Sequence, residues 1–483
     1  MTASVPDRPR NRAVVLTACG GTFLAMLDST VTNLAVPDLQ RAFPDSTVPD
    51  LSWVVSGYAI LFAALLAPAG RLADALGRRR LFATGVAIFT VSSLVCALAP
   101  VLPVLVAARF VQGAGAAAMI PAALAILLLD GPEGNRAGSI ALWSTAGAAA
   151  AAFGPSVGGV LVGQFGWPSV FLINVPLGIA VLVAVRRVLP PTPAAEGARV
   201  PDPLGTVLLA LGVGGLTVAV TQGPAWGWVD VRTVVAAVVG ALSLVVSVLR
   251  SRRHEVPAVD TALWSNRTFA ATNVVSLFYG MAQFAWMLGS VLYLTEVWDY
   301  TELEAGLANT PGAFFAAVAA LGLARIAARI GGPRGATLIG LGAFTACGLW
   351  FSVGLIDHAA FLAFWLPASF LAGGGMGAAT MGTSSAAAMS APPTKFAGSS
   401  GLNTTARQFG GALGIAIMAA VLALTTGPDG VRDVDAYRTM FIYCTAMMAI
   451  ALTVAAIWLR FPAPAPTPAP VAAQNTEASP AQR

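Results

Sequence analysis

Long apolar segments constrain this chain more than any other feature. Windows of about 20 apolar residues, the length that crosses a bilayer as a helix, recur along most of the sequence. Hydrophobic residues make up 57% of the chain and charged residues 10%, which excludes a single water-soluble core with a charged shell. We predict an all-α polytopic membrane protein with fourteen transmembrane helices. The predicted spans are 13–36, 51–72, 81–99, 103–128, 138–163, 168–189, 204–222, 231–250, 268–294, 305–328, 335–356, 360–389, 399–425 and 437–460.

The charged residues of the predicted loops indicate how the chain is oriented. Most of the 27 arginine and lysine residues fall in the loops on the N-terminal side of the membrane, as is typical of cytoplasmic loops. Acidic residues collect in the opposite loops. We predict a multi-pass protein of the cell membrane, with both termini cytoplasmic and the first span retained. This topology explains the net charge of +5, and no nucleic-acid partner is expected.

Parts of the two halves of the chain resemble each other. Arg71–Gly77 is similar to Arg325–Gly331, and Gly138–Thr145 is similar to Gly398–Thr405. A parallel repeat predicts two six-helix bundles with a substrate site between them, near the middle of the bilayer. The predicted domains are an N-terminal six-helix bundle (1–190), a linker with two extra transmembrane helices (191–262), a C-terminal six-helix bundle (263–462) and a disordered, Pro/Ala-rich cytoplasmic tail (463–483).

Two charged residues lie inside predicted spans of the first half. Asp28 interrupts the first span and Arg109 the fourth, where a charge costs on the order of 3 kcal/mol. We expect the two to pair, and we expect the carboxyl group to change its proton occupancy with conformation, as proton coupling requires. The simpler alternatives are an acid that only fixes helix packing and an arginine that reaches the membrane surface.

Two further segments have spacings that indicate moving parts. In the loop between the second and third spans, an aspartate can meet arginines or a helix N-terminus and form a conformational latch. The candidate latch residues are Gly70, Asp74, Gly77 and Arg78. In the fifth span, glycines share one helix face and predict a close helix contact and a hinge. The candidate hinge residues are Gly147, Gly154, Pro155, Gly158 and Gly159.

In this order, the segments resemble the major facilitator superfamily, and within it the 14-spanner drug:proton antiporters. The resemblance covers residues 13–460. The loop at Gly70–Arg80 is similar to motif A of the superfamily, Arg109–Gly115 to motif B, and Gly147–Gly159 to the antiporter motif C. The first span matches the signature of this branch through Leu27, Asp28, Thr30, Asn33, Ala35 and Pro37.

The resemblance implies a role for each segment. Asp28 would be the proton-responsive acid, Arg109 its partner in a proton relay, and Asp74 part of a latch between the two halves. The motif C glycines would form a seal that favours export. Beyond these residues, the late spans offer one acid, Glu296, near the outer end of its span.

We therefore expect a proton-driven efflux transporter, not an enzyme, that exports a lipophilic drug, antibiotic or toxic organic cation by alternating access. Its energy source would be the proton gradient, with no cofactor and no metal, and we expect a monomer in the bilayer. The alternatives left open are a proton-coupled importer of a small nutrient on the same fold and a non-transporting receptor or scaffold. The candidate substrate-cavity residues are Asn33, Tyr58, Gln112, Trp143, Tyr279, Gln283, Trp286, Asn403, Arg407 and Gln408.

Overall fold

A computed structural model describes residues 8–46, 48–129, 136–190, 201–327, 329–392, 395–425 and 433–460. All regular secondary structure in these ranges is helical. The predicted tail, 463–483, lies outside the described residues. The helices are α1 (Arg8–Leu34), α2 (Val36–Ala42), α3 (Val48–Leu76), α4 (Arg78–Ala97), α5 (Leu102–Leu129), α6 (Arg136–Phe165), α7 (Pro168–Leu172), α8 (Asn174–Val188), α9 (Pro203–Trp226), α10 (Val231–Ser251), α11 (Arg267–Glu296), α12 (Glu302–Ile326), α13 (Gly332–Gly354), α14 (Leu366–Met389), α15 (Phe396–Thr425) and α16 (Val434–Trp458).

These helices form fourteen membrane spans within the described residues. Thirteen spans are long and apolar enough to cross a bilayer, and in one of them α7 and α8 act as two parts of a single span. The fourteenth is α6, whose 30 residues correspond to about 45 Å of helix. The predicted fold class is confirmed. The sequence did not predict α2 or the π-helical turn Phe361–Trp365 before α14, because both are too short for a 20-residue window.

The two six-helix halves repeat one packing pattern. In the first half, α1 packs against α5, α6 and α8, and α5 packs between α3 and α4. In the second half, α11 packs against α14, α15 and α16, and α14 packs between α12 and α13. Thus α1, α4, α5 and α8 correspond to α11, α13, α14 and α16.

Two seams join the halves, and the extra helices cover one of them. The seams are formed by α3 with α15 and by α6 with α12. The extra helices α9 and α10 pack against each other, and α9 also lies on both α3 and α15. Gly212 allows the close approach of α9 to α10, since a Cβ there would lie 2.8 Å from the backbone nitrogen of Leu244.

Charge distinguishes the two ends of the helix bundle. We call the end that carries Arg78, Arg79 and Arg80 the basic end, and the end that carries Asp38 and Asp45 the acidic end. Because successive spans alternate in direction, the first and last described residues both lie at the basic end. The domain boundaries given above stay predictions.

Candidate functional site

A buried cluster of polar side chains lies in the first half, toward the acidic end. Asp28 is in the last two turns of α1, and Arg109 and Gln112 are in the first turns of α5. The spacing of three residues places Arg109 and Gln112 on one helix face. Asn174 begins α8, immediately after the break that separates it from α7. Three of the fourteen spans therefore supply the cluster.

Asp28 accepts hydrogen bonds at both carboxylate oxygens. Its Oδ2 lies 2.6 Å from Arg109 Nη1, in an ion pair. Its Oδ1 accepts from Gln112 Nε2 at 2.9 Å and from Asn174 Nδ2 at 2.7 Å. All four residues are 1% exposed or less. The arrangement matches an ionised carboxylate, which only accepts, surrounded by three donors.

Other elements hold Arg109 in place. Its Nε donates to the backbone carbonyl of Val54 in α3 at 2.7 Å. Its guanidinium lies 4.4 Å from the ring centre of Tyr58, a distance at which a cation is attracted to the face of an aromatic ring. Arg109 Nη2 and Asn174 Oδ1 have no hydrogen-bond partner among the described residues. The cluster thus keeps one donor and one acceptor that could bind another polar group.

Gln112 connects the ion pair to α4. Besides donating to Asp28, it donates to Ser93 Oγ at 2.7 Å and accepts from Arg109 Nη1 at 2.6 Å. A proton on Asp28 would turn its charged hydrogen bonds into weaker neutral ones and leave Arg109 without a counter-ion. Helices α1, α3, α4, α5 and α8 would all be affected, because each contributes a group to this network.

The glycines of α6 bring that helix close to α1, beside Asp28. A Cβ at Gly154 would lie 2.7 Å from the Cβ of Thr30, and one at Gly147 would lie 3.8 Å from Met26. Gly158 is buried, whereas Gly159 is exposed and a Cβ there would meet no described atom within 4 Å. Gly159 therefore takes no part in the close contact, and the side chain of Pro155 lies outside the described part.

At the basic end, Asp74 joins the first half to the second. Its carboxylate accepts from the backbone nitrogens of Ala397 and Gly398, at 3.2 and 2.8 Å, in the first turn of α15. Both the free N–H groups and the dipole of that helix favour a negative charge there. The structure shows both kinds of partner that the sequence allowed, because Arg71 and Arg78 also attract this carboxylate electrostatically.

Two glycines shape the loop around Asp74. Gly70 lies so close to α15 that a Cβ would be 3.0 Å from Gly398 Cα. Gly77 adopts a φ of 95° at the start of α4, a conformation that glycine adopts readily and other residues avoid. Arg78 follows it as the first residue of α4 and is half-buried. The four latch candidates thus lie together at the seam of α3 and α15.

Three of the cavity candidates lie in the interior of a half rather than between the halves. Tyr58 and Gln112 are part of the Asp28–Arg109 cluster, because the buried charges need them as partners. Trp286 packs edge-on against Phe344 and Phe441, with ring centres 5.1 and 4.7 Å away. It is 6% exposed and belongs to the aromatic core of the second half.

The remaining candidates lie on four helices. Asn403, Arg407 and Gln408 are in α15 and Trp143 is in α6, and both helices form seams between the halves, whereas Tyr279 and Gln283 are in α11 and Asn33 is in α1. Asn403 donates to Ser276 Oγ at 2.8 Å, and the hydroxyl of Tyr279 donates to the carbonyl of Met376 at 2.9 Å. Arg407 and Gln408 are half-buried in α15, and Arg407 makes no ion pair with a carboxylate of the described residues. The buried atoms Gln283 Oε1 and Trp143 Nε1 have no hydrogen-bond partner in the part of the chain that the structure describes. The side chain of Asn33 is outside the described part.

Sequence reasoning missed Asn174, which donates directly to Asp28. The available signal was a polar residue inside the predicted span 168–189, followed at once by Val175 and Pro176. A buried polar side chain needs a partner, and this one could have been paired with the only acid of the neighbouring spans.

Comparison with known proteins identifies the family of this fold. The family model described as Major Facilitator Superfamily matches residues 18–415 and, in a second match, residues 272–482. The chain belongs to the major facilitator superfamily. Among solved structures, this superfamily chain resembles the human organic anion transporter MFSD10 (TETRAN), with a TM-score of 0.67. That match covers 92% of this chain and 99% of the other, at 16% identity, and therefore concerns the fold alone.

Relatives of this superfamily member include proteins named for resistance or export. The chain is 34% identical to the methylenomycin A resistance protein of Streptomyces coelicolor, over 89% of this chain and 90% of the relative. It is also 34% identical to the cephamycin export protein CmcT of Amycolatopsis lactamdurans, over 91% of each chain. A third relative, at 34% identity, is the multidrug resistance protein Stp of Mycobacterium tuberculosis, with 86% and 76% covered.

Proposed function

We propose that this protein is a proton-driven exporter of a lipophilic compound that works by alternating access. The observation that carries the proposal is the buried ion pair of Asp28 and Arg109, 2.6 Å apart and held by Gln112 and Asn174. A buried pair of charges is costly, so a role in transport accounts for it better than packing does. The resistance and export proteins among the relatives support export.

Protonation of Asp28 is the proposed coupling step. The ionised carboxylate holds α1, α5 and α8 together through its three donors. When a proton arrives, the attraction between Asp28 and Arg109 is lost, and the free energy that held these helices in one arrangement falls. Proton and substrate then favour different conformations, and their differential binding drives net transport.

The contacts of α6 and of the latch explain how such a change could spread. Gly154 places α6 directly on α1, beside Asp28, and α6 is one side of a seam between the halves. Asp74 closes the other seam at the basic end by binding the first turn of α15. A rearrangement around Asp28 can therefore reach both seams through direct packing contacts.

The proposed orientation follows from the distribution of charge. The basic end is assigned to the cytoplasm, because arginine-rich loops stay on that side of the membrane, and both termini lie there. Asp28, nearer the acidic end, would receive its proton from outside the cell. The protein acts as a monomer in the cell membrane, uses the proton gradient as its energy source and needs no cofactor.

The test measures accumulation of an antibiotic by cells that express the protein, after a panel of antibiotics has identified one to which it gives resistance. Asp28→Asn keeps the side-chain shape but removes the charge. The matched control is Asp299→Asn, an exposed acid at a φ of 54°, a conformation that asparagine tolerates. The wild type and the control should export until a protonophore is added, and Asp28→Asn should accumulate the compound as empty cells do.

Other outcomes exclude the proposal. Full export by well-expressed Asp28→Asn, or export by the wild type without a proton gradient, would show that this network does not couple protons to transport. Greater accumulation in expressing cells than in empty cells would identify an importer. No difference from empty cells with any compound would favour a receptor or scaffold.

A further inference from the structure

A cavity lies beside the seam of α3 and α15, where the extra helices α9 and α10 cover it. Its volume is about 690 Å³, and it lies between the extra helices α9 and α10 on one side and α3, α11 and α15 on the other, with part of its surface open to the surroundings. Arg252 and Trp264 lie at its mouth, near the basic end, and both are exposed. Exposed apolar residues of α10, such as Leu242 and Val246, indicate that lipid surrounds this hairpin.

The wall of the cavity is almost wholly apolar. Leu209 and Val213 of α9 face Leu277 of α11 and Phe409 of α15 across it. Its size falls within the range of about 300–1,000 Å³ that holds small organic ligands. The cavity is open on one side to the surroundings of the helix bundle, so a molecule dissolved in the lipid can enter it. A lipophilic molecule would fill it.

Two buried polar atoms without a partner belong to the same wall. Asn273 and Thr405 both line the cavity, on α11 and α15, and are 3% and 8% exposed. Asn273 Nδ2 donates to the carbonyl of Phe269 at 2.8 Å, but within the described part of the chain neither its Oδ1 nor Thr405 Oγ1 has a hydrogen-bond partner. Leaving such atoms unpaired in an apolar place costs free energy. Asn273 Oδ1 lies just behind the surface of the wall, so a turn of the side chain toward the cavity would let it accept a hydrogen bond from a ligand with a hydroxyl or N–H group.

The charge of the wall narrows the class of ligand. Arg252 is the one charged residue among the described residues that line the cavity. A cation would find no carboxylate there and would be repelled by the guanidinium at the mouth. An uncharged or anionic molecule meets neither cost.

We infer that this cavity is an entry site for the exported compound, which is a lipophilic, uncharged or anionic molecule carrying at least one hydrogen-bond donor. This rests on the proposed export function. The seam of α3 and α15 supplies Ala67 and Leu402 to the wall. In this structure the seam is tight, since a Cβ at Gly401 would lie 3.3 Å from Ala67 Cα. When the latch of Asp74 opens, the cavity joins the space between the halves.

The first experiment measures binding alone, in the full-length protein in phosphatidylcholine vesicles. The probes are a decyl alcohol with a diazirine on its chain, its methyl ether, and the matching decyltrimethylammonium. The alcohol should photolabel residues of α9 and α15 about tenfold more than the ether, which lacks the donor. The trimethylammonium probe should label least. Asn273→Leu should lower labelling by the alcohol to the level of the ether.

Cavity-filling variants locate the site. Val213→Trp should abolish labelling by the alcohol, and Leu216→Trp, at a half-buried position of the same wall, provides a second variant should the first misfold. The matched control is Leu211→Trp on the outer face of α9, where the residue is 52% exposed. Its labelling should equal that of the wild type. Equal labelling of all these variants would show that the alcohol does not bind in this cavity.

The second experiment asks whether the site serves transport. With the compound found by the antibiotic panel, Val213→Trp should raise the KM about tenfold, while Leu211→Trp leaves it unchanged. An unchanged KM would overturn the role in entry. A phosphatidylcholine that carries the same diazirine is a further probe. If it labelled the wall and the alcohol did not displace it, the cavity would be a lipid site instead. A failure of Asp28-dependent coupling would leave the photolabelling result intact, so the two proposals can fail separately.

Discussion

Corresponding helices of the two halves enclose interiors of different chemical character, one charged and one aromatic. In the first half, α1, α4, α5 and α8 surround the charged cluster of Asp28 and Arg109. In the second half, α11, α13 and α16 surround aromatic rings, with Trp286 in contact with Phe344, Phe351 and Phe441 at 4.7 to 5.1 Å. The same arrangement of helices thus holds a buried ion pair in the first half and uncharged aromatic rings in the second.

From this difference we infer that the two halves have different roles in transport. A buried ion pair contributes little net stability, but breaking it is costly, so the proposed protonation of Asp28 would act on the first half. The aromatic cluster stabilises by packing and has no ion pair to break. We therefore assign coupling to the first half and rigid support to the second, and each variant below tests one side of that contrast.

The largest effect is expected from Arg109→Ala. Removal of the guanidinium leaves the buried carboxylate of Asp28 without its counter-ion, which costs about 3–5 kcal/mol, and transport should be lost. Unfolding in detergent and antibiotic accumulation measure the two effects. Arg41→Ala, with a side chain 78% exposed, is the control. When Asp28→Asn is added to Arg109→Ala, stability should recover in part while transport stays absent. Normal transport by Arg109→Ala alone would refute the relay.

A comparable loss of stability, with a different functional result, is expected from Trp286→Ala. The change empties the centre of the aromatic cluster and should cost about 3 kcal/mol in unfolding experiments. Transport by the folded fraction should keep its dependence on the proton gradient, because no titratable group is touched. Trp350→Ala, at an exposed ring, should have little effect. Transport that no longer responds to a protonophore would contradict the assignment of coupling to the first half.

A smaller effect is expected from Asn174→Ala. It removes one of the three donors to Asp28, and a hydrogen bond to a charged group is worth about 2 kcal/mol. Arg109 and Gln112 remain, so the protein should fold and transport more slowly with the proton dependence kept. The initial rate of export measures this. A loss of coupling as complete as in Asp28→Asn would mean that Asn174 itself takes part in the relay.

The smallest effect is expected from Asp74→Asn at the latch. The interaction of a carboxylate with a helix N-terminus contributes about 1 kcal/mol, so the seam of α3 and α15 should open more often at the basic end. Distances between spin labels on the two sides of this seam would show a larger open population. Asp45→Asn, at the other end, is the control. An unchanged distribution would remove Asp74 from the latch.

The sequence predicted the parts of this structure that depend on local pattern. Apolar windows located the fourteen spans, and the expense of a buried charge directed attention to Asp28 and Arg109, which the structure places in contact. Partners that are distant in sequence were harder to predict. Asn174, Ser93 and the carbonyl of Val54 meet the ion pair only because five spans converge.

Hydrophobicity also failed to separate cavity from core. Trp286 has the composition expected of a substrate contact, but only the packing of α13 and α16 shows that it lies in the interior of the second half. The cavity beside α9 and α10 likewise depends on how an inserted hairpin packs on a seam, which no periodicity encodes.

Proton counter-movement in proteoliposomes tests the central claim most directly. The vesicles hold a pH-sensitive dye, and an outward gradient of the exported compound is imposed with no initial pH difference. The wild type and Asp299→Asn should move protons in the opposite direction as the compound leaves, while Asp28→Asn should let the compound pass with no proton movement. If Asp28→Asn exchanged protons for the compound in the wild-type ratio, the buried pair of the first half would not be the coupling site.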